Sequence, residues 1–341
     1  MQECRMKRIM AISKKVTIQQ IADAANVSIA TVSRILNRSS NVNPETRQRV
    51  LEAMKALEFQ SKTMDTPSQG NNSILVCTPQ INNPFMTEVM MGIQDIAYQH
   101  NYHVFCFQSR NYYNSIQDYE LFLKNNRFSG IILIHNVASP ELLEDLSIRY
   151  PVVMCSEHCR DDSISFVGID DYSAGVSAVK HLIKTGHRRI GLINSPLHNN
   201  YAKHRERGYR AAMEEAGLSV NEGWVIHLPE LSFDMALPYI TGVLSMKDRP
   251  DALFCVSDIF AAATLKAASN LGLRVPEDVA VVGFDNTASS VMVSPALTTV
   301  SQPSYLMGQQ ACELLLERIE NPSAPTRRVV LSTELIVRAS T

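Results

Sequence analysis

The sequence predicts an α/β core of two lobes preceded by a small all-α domain. Three observations support this prediction: the chain length, an alternation of apolar runs with amphipathic segments from residue 74 onward, and a short helical region before them. With 341 residues, the chain is too long for one typical core, so a small domain plus a large one is expected.

Short apolar runs in the large domain have the composition of parallel strands, which helices cover on both faces. We predict strands at 74–79, 103–107, 130–134, 152–155, 166–170, 190–194, 252–256 and 279–284. Helix-like segments lie between them at 86–100, 116–126, 172–186, 203–217, 234–246 and 259–271. Eight or more such strands favour two Rossmann-like lobes over one sheet. Ligands of these sheets bind at the carboxyl ends of the strands, so a cleft between the lobes is the expected binding site.

The stretch 16–37 predicts two short helices joined by a tight turn. The first helix has one apolar face, formed by Ile18, Ile21, Ala22 and Ala25. Thr17 and Ser28 precede the two helices as caps, and Asn26 suits the left-handed backbone of the turn. The second helix has small or hydrogen-bonding side chains on its outer face: Ile29, Ala30, Ser33, Arg34 and Asn37. A helix pressed onto base edges and phosphates requires such a face. The pattern alone fits a helix-turn-helix that binds DNA and an ordinary helical hairpin with a solvated polar face equally well.

The charge distribution favours the same division of the chain. Residues 1–62 hold 11 lysines and arginines against 5 acidic residues, whereas the whole chain has a net charge of −2. A basic head on an acidic body is typical of a DNA-binding module attached to a domain that does not bind DNA.

Composition and motifs exclude several other classes. The seven cysteines are scattered, without a CxxC pair or zinc-ligand spacing, so neither a disulfide framework nor a metal site is expected. No apolar stretch is long enough to span a membrane and no secretory signal is visible, which predicts a cytoplasmic protein. Motifs for nucleophilic, phosphate-binding, zinc-dependent or dinucleotide-dependent catalysis are missing, so we expect no enzyme and no cofactor.

Specific strings in the chain resemble one protein family. The pattern AxxANVSxATVSRxLN closely resembles the DNA-binding headpiece of the LacI/GalR family of bacterial transcriptional repressors. The resemblance continues through 42–59, which looks like the third headpiece helix, with Asn43 as its cap and Pro44 at its first position. In the large domain, the strings at 83–93, 167–193, 205–218, 257–286 and 295–319 resemble the periplasmic-binding-protein-like core of that family.

Composition and the resemblance together imply a domain plan. It gives a disordered extension at 1–15, a headpiece at 16–59, a linker at 60–73 and a core at 74–341. Lobe 1 is expected at about 74–166 and 299–330, and lobe 2 at about 167–296 and 331–341, with crossings near 166–168, 296–299 and 330–333. The linker departs from the family, because Ser61 and Ser68 replace the early proline and the leucine of its hinge helix. Loosely tethered headpieces are therefore expected, similar to cytidine-type repressors, which depend on a neighbouring DNA-bound activator.

DNA contacts follow from the headpiece resemblance. Ile29, Ala30 and Arg34 are expected to contact bases. Phosphates are expected to be contacted by Thr17, Ser28, Thr31, Ser33 and Asn37. Because one headpiece makes too few contacts for a specific site, a homodimer on palindromic half-sites is expected. The resemblance places candidate dimer helices at 86–100 and 259–271.

Effector contacts are expected at the strand ends. Asp285 and Ser257 end or follow strands, and Arg205 opens a helix where its guanidinium can donate a fork of hydrogen bonds. By resemblance, Arg205 and Asp285 hold the effector, Phe85 and Met86 form the opposite wall, and Phe233 stacks on the ligand. Ser156 or Glu157 adds a polar contact, while Asp258 is expected to bond a helix start. Hydroxyl partners plus aromatic stacking suit a sugar and a nucleoside equally.

The favoured function is therefore a transcriptional repressor whose operator affinity is controlled by a small effector. A solute-binding or sensor protein with the same core is the alternative, and an enzyme built on a doubly wound core is a weaker one.

Overall fold

The computed structural model of the chain describes residues 17–36, 43–57, 72–108, 122–123, 126–134, 140–156 and 164–341. They belong to two separate units, one within residues 1–68 and one within 69–341. The expected extension at 1–15, most of the linker and most of the helix predicted at 116–126 lie outside the described residues. Within these ranges, no helix has the length and apolar character needed to cross a bilayer.

The described residues of the first unit form three short helices: α1 (Ile18–Ala24), α2 (Ile29–Leu36) and α3 (Pro44–Ala56). Thr17 caps α1 by accepting a hydrogen bond from the N–H of Gln20. The Ser28 Oγ accepts from the N–H of Thr31 at 3.1 Å, and the Asn43 Oδ1 accepts from the N–H of Glu45 at 3.0 Å. These contacts confirm all three predicted caps. The helices meet over a small apolar core that includes Ile21, Ala22, Ala25, Val32, Ile35, Val50, Ala53 and Met54.

The turn between α1 and α2 depends on Asn26. Its φ of 53° lies in the left-handed region, as the sequence predicted. An Asn26→Ala variant should lose about 1 kcal/mol of headpiece stability, because a Cβ-bearing residue without a local hydrogen-bonding group pays a steric cost there. Hydrogen exchange of the α1 amides in the full chain measures this loss. Asn26→Gly is the control and should keep wild-type protection; equal losses in both variants would contradict the role of φ.

The second unit is the α/β core. Its strands are β1 (Ser73–Thr78), β2 (His103–Gln108), β3 (Gly130–Ile134), β4 (Val152–Cys155), β5 (Ser165–Ile169), β6 (Ile190–Asn194), β7 (Val225–His227), β8 (Ala252–Cys255), β9 (Ala280–Asp285), β10 (Thr298–Ser301), β11 (Arg328–Leu331) and β12 (Glu334–Ile336). Its helices are α4 (Pro84–Gln99), α5 (Pro140–Arg149), α6 (Asp171–Lys184), α7 (Asn200–Glu215), α8 (Phe233–Leu244), α9 (Asp258–Asn270), α10 (Ser289–Met292) and α11 (Ser304–Glu320). All eight predicted strands are present.

The described strands form two six-stranded sheets, one in each lobe. The first has the order β11-β5-β4-β3-β1-β2 and is parallel throughout. The second has the order β12-β10-β9-β8-β6-β7, and only its edge strand β12 runs antiparallel to its neighbour β10. Central strands such as β1, β3 and β9 are buried along their whole length, as expected for sheets covered on both faces.

The chain crosses between the lobes three times, and two crossings differ from the expectation. Strand β5 pairs with β4 and β11 in the first sheet, so the first crossing lies at 170 rather than 166–168. Strand β10 pairs with β9 in the second sheet, so the second crossing lies at 302–303 rather than 296–299. In both cases the strand before the crossing is paired within the sheet of its own lobe, so the chain crosses only after that strand ends. The third crossing, at 332–333 between β11 and β12, agrees with the expectation.

Glycines allow two pairs of helices to pack backbone against backbone. In the first lobe, α4 packs on α11, and a Cβ on Gly92 would lie 2.0 Å from the carbonyl oxygen of Tyr305. A Cβ on Gly308 would lie 2.0 Å from the carbonyl oxygen of Val89. In the second lobe, Gly175 of α6 and Gly208 of α7 have the same role. The α6–α7 contact matters for the site, because it carries Arg205.

Candidate functional site

The headpiece presents the outer face of α2. Ser28, Ile29 and Ala30 are exposed, and Thr31 is half-buried. The Ser28 and Thr31 hydroxyls lie 2.8 Å apart and share a hydrogen bond. Thr17 is exposed beside the start of α1, where it accepts from the Gln20 N–H. Asn37 and the side chains of Ser33 and Arg34 lie outside the described part of the chain.

The core contains a cleft between the carboxyl ends of the two sheets, of about 310 Å³ counted out to the open solvent. Its described lining comprises Asn83, Phe85, Ser156, Tyr201, Arg205, Leu231, Val256, Ser257, Asp285 and Gln302. Five of the seven predicted effector residues are therefore brought together: Phe85, Ser156, Arg205, Ser257 and Asp285. The position agrees with the rule that ligands of parallel α/β sheets bind beyond the strand ends.

Arg205 is held in place by the close approach of α6 and α7. A Cβ on Gly175 would lie 2.8 Å from the carbonyl oxygen of Arg205, so only glycine permits this spacing. The guanidinium Nε donates to Asp171 Oδ1 at 2.8 Å, and Nη1 donates to the carbonyl of Val256 at 2.7 Å. Its Cζ lies 3.5 Å from the ring centroid of Phe284. Arg205 is only 5% exposed, so a buried and fixed cation faces the cleft.

Asp285 is the acceptor opposite this cation. Its Oδ1 lies 3.9 Å from Arg205 Nη1 and accepts a 2.7 Å hydrogen bond from Gln302 Nε2. Burial raises the pKa of the Asp285 carboxyl well above its usual value, while the Arg205 charge opposes that shift. The residue also has a φ of 109°, an unfavourable conformation for a non-glycine residue. Such strain is concentrated at functional sites, which supports a ligand-binding role.

Two serines complete the polar lining. Ser156 follows β4 with a φ of 76°, and its N–H donates to the carbonyl of Val167 at 2.8 Å. Ser257 caps α9, since its Oγ accepts from the N–H of Phe260 at 3.3 Å. That contact uses the oxygen of Ser257 and leaves its hydroxyl hydrogen to donate into the cleft. Glu157, the alternative to Ser156, lies outside the described residues.

Two predicted effector residues are not among the described lining. Met86 is 1% exposed and packs in the hydrophobic core, because successive residues of α4 point about 100° apart and only Phe85 faces the cleft. Phe233 is 37% exposed at the start of α8. Conversely, the sequence pattern did not reveal five of the lining residues: Asn83, Tyr201, Leu231, Val256 and Gln302. The Asn-Pro pair at 83–84 is a helix-start signal that could have pointed to Asn83, whose Oδ1 accepts from the N–H of Phe85 at 3.0 Å.

Asp258 has a structural role, as expected, but it bonds other elements rather than the helix start, which Ser257 caps. Its buried carboxylate accepts from the N–H and Oγ1 of Thr287 at 2.7 and 3.1 Å and from Thr299 Oγ1 at 2.7 Å. These bonds join the start of α9 to β10 and to the loop after Asp285. Burial raises the pKa of the Asp258 carboxyl to about 6, although the three hydrogen bonds oppose the shift.

This shift predicts a pH dependence of stability. The carboxyl of Asp258 binds its proton more tightly in the native state than in the unfolded state. Its contribution to the free energy of unfolding is therefore largest below the usual pKa near 3.8, and it is lost as the pH rises through about 6. Relative to Asp258→Asn, the wild-type free energy of unfolding should fall between pH 4 and 6 by at most about 1.4 kcal/mol per pH unit. Urea unfolding, followed by the fluorescence of the single Trp224, measures it. A pH-independent difference would contradict the assignment.

The chain combines a helix-turn-helix unit with a two-lobed α/β unit that has a polar cleft between its lobes. This combination is typical of transcription regulators that are controlled by a small ligand. Comparison with known families supports this class. Residues 17–62 match the family described as bacterial regulatory proteins, lacI family, and residues 179–341 match the periplasmic binding protein-like domain. The chain belongs to the LacI family, and it is a DNA-binding transcriptional repressor with an effector-binding core.

Relatives cover nearly the whole chain. Catabolite control protein A of Priestia megaterium is 33% identical over 335 residues, covering 96% of this chain and 99% of the relative. The HTH-type transcriptional repressor PurR of Aliivibrio salmonicida (strain LFI1238) is 32% identical over 328 residues, covering 95% and 98%. The solved structure of the transcriptional regulator CelR in complex with cellobiose has a TM-score of 0.73 and 29% identity, covering 96% of this chain and 100% of that one. These relatives are regulators rather than enzymes.

Proposed function

We propose that the interlobe cleft binds a small neutral effector, a sugar or a nucleoside. The observation that carries this proposal is the buried pair of Arg205 and Asp285, which presents a donor and an acceptor side by side at the strand ends. Neighbouring hydroxyl groups donate and accept at once and therefore match such a pair. Asp171 and Asp285 both face the single guanidinium of Arg205, which disfavours a negatively charged ligand.

The remaining lining residues shape the pocket around the ligand. Phe85 supplies an apolar wall from lobe 1, while Ser156 and Ser257 supply hydroxyl contacts from opposite lobes. Phe233, exposed outside the described lining, contacts only an effector that extends beyond the cleft. Met86 acts indirectly, through the core of lobe 1. The CelR structure binds cellobiose, which favours the sugar class for this chain.

Effector binding acts on DNA through the lobes. A ligand that contacts both walls biases the lobe arrangement across the three crossings, so effector and operator affinities are coupled reciprocally. We infer a cytoplasmic, non-enzymatic homodimer, with α4 and α9 as candidate interface helices, on an operator of palindromic half-sites. A neighbouring DNA-bound activator is a further proposed partner.

Thermal unfolding of the purified chain tests the effector assignment. Cellobiose, other sugars and nucleosides are added singly, and a ligand of the native state raises the midpoint. A matched Asp285→Asn variant should reduce the shift, because one carboxylate oxygen is replaced by an NH2 group that donates instead of accepting. A ligand that shifts both proteins equally would bind elsewhere, and only anionic ligands shifting the wild type would contradict a neutral effector.

The DNA contacts carry a separate prediction. We propose that Arg34 contacts a base, with Ile29 and Ala30, while Thr17, Ser28, Thr31, Ser33 and Asn37 contact phosphates. Arg34→Ala should weaken binding to a selected specific duplex by about 1–3 kcal/mol and leave binding to random duplex nearly unchanged. Fluorescence anisotropy at fixed salt measures both. Equal losses on the two duplexes would assign Arg34 to a phosphate instead.

A further inference from the structure

The outer face of α2 begins with apolar side chains. Ile29, the first residue of the helix, is 48% exposed, and Ala30 beside it is also exposed. An isoleucine of this exposure on a helix of only eight residues is not needed for the headpiece core, which Val32 and Ile35 of the same helix already serve. Its apolar surface is therefore available to a partner outside the headpiece.

The polar groups at this end of α2 are already engaged. Ser28 Oγ accepts from the Thr31 N–H at 3.1 Å, and the Ser28 and Thr31 hydroxyls bond each other at 2.8 Å. That mutual bond uses one of the two hydroxyl hydrogens, so one remains for a phosphate contact. The first turn of α2 thus offers methyl and methylene groups, but no bidentate hydrogen-bonding side chain, to the base edges.

The major groove contains only one apolar group on its base edges, the C5-methyl of thymine. Isoleucine placed against a base donor or acceptor would remove water from that group without replacing its hydrogen bond, which is unfavourable. Against a thymine methyl, the same side chain buries apolar surface on both partners. The family match at 17–62 identifies α2 as the second helix of a DNA-binding headpiece, so the partner is DNA.

We propose that Ile29, with Ala30, selects a thymine in each half-site through its C5-methyl group. The proposal rests on the base-contacting role given to α2 above and names the chemical group that it recognises. Removal of one buried methyl corresponds to about 0.8 kcal/mol, which is about a fourfold loss of affinity for each half-site.

The experiment uses the full chain and DNA alone. Binding sites are selected from a random duplex library, and each symmetric pair of thymines in the selected sequence is then replaced by uracil, which removes only the methyl groups. We expect one pair at which uracil weakens wild-type binding about fourfold per half-site. In Ile29→Ala, the same replacement should have no effect, because the isoleucine that contacts the methyl is gone.

Ile18→Ala is the matched control. Ile18 is 38% exposed, but it lies on α1, so this variant should keep the uracil sensitivity. Equal binding of all three proteins to a non-selected duplex checks that the headpieces are folded. A selected motif without a methyl-sensitive thymine, or an unchanged uracil effect in Ile29→Ala, would overturn the inference alone. Failure to enrich any motif would overturn both the base-contacting role of α2 and the inference about thymine.

Discussion

An Arg205→Met variant should lose both the effector response and about 3–5 kcal/mol of stability in the core. The guanidinium is the cation between two buried carboxylates, Asp171 at 2.8 Å and Asp285 at 3.9 Å. Removing one partner of a buried ion pair leaves uncompensated charge in a medium of low dielectric constant, which is far more destabilising than the pair itself is stabilising. The loss is measured by urea unfolding followed by Trp224, which is buried in the second lobe.

Two further variants separate stability from ligand binding. Asp171→Asn combined with Arg205→Met removes one of the orphaned charges and should recover part of the stability, but not the effector-induced thermal shift. Arg205→Lys keeps the charge without the fork and should weaken the response with a smaller loss of stability. A stable Arg205→Met protein that still responds to the same ligand would show that another group binds the effector.

Gly308→Ala should destabilise the first lobe by more than about 3 kcal/mol. The added methyl would lie 2.0 Å from the carbonyl oxygen of Val89, and a backbone atom cannot turn away as a side chain can. Helices α4 and α11 must then separate, which places the change at the upper end of overpacking costs. Far-UV circular dichroism during urea unfolding measures the loss, and Gly92→Ala should behave alike because its methyl meets the Tyr305 carbonyl at the same distance.

Gly242→Ala is the control for this prediction. Gly242 is also helical, but it is exposed, and a Cβ there meets no heavy atom within 4 Å. Alanine should therefore stabilise α8 by about 0.5–1 kcal/mol. The contact between α4 and α11 also matters for the cleft, because α4 begins beside Phe85 and α11 begins just after Gln302. A Gly308→Ala protein of wild-type stability would mean that the two helices are not in backbone contact.

Most strands could be predicted from their apolar runs, whereas three short strands at the sheet edges could not. The eight predicted strands are rich in apolar residues, which is typical of sheets that helices cover on both faces. The missed strands β7, β11 and β12 have only three or four residues and lie at the sheet edges, where burial is partial. Strand β10 is central, but its fully buried Thr298 and Thr299 appear as polar residues in a hydropathy pattern.

The same limits explain the site. Polar residues at the end of a predicted strand or just after it, such as Asp285 and Ser257, were predicted because the strands themselves were. Gln302 was missed since it comes after β10, the strand that the hydropathy pattern does not reveal. Met86 was expected in the cleft beside Phe85, but a one-residue step along a helix turns a side chain away from its neighbour's direction. Sequence patterns locate elements well, whereas they do not fix which face of an element meets a ligand.

The three crossings also determine the order in which the units can fold during synthesis. The headpiece is a separate unit that leaves the ribosome first, and domains fold as units during synthesis. Both lobes, however, stay incomplete until residues beyond 302 have been made: the first lacks α11 and β11 until then, and the second lacks β12. The DNA-binding headpiece is therefore complete well before the effector-binding core during synthesis. A chain stalled late in translation would have a folded headpiece without a complete effector-binding core to regulate it.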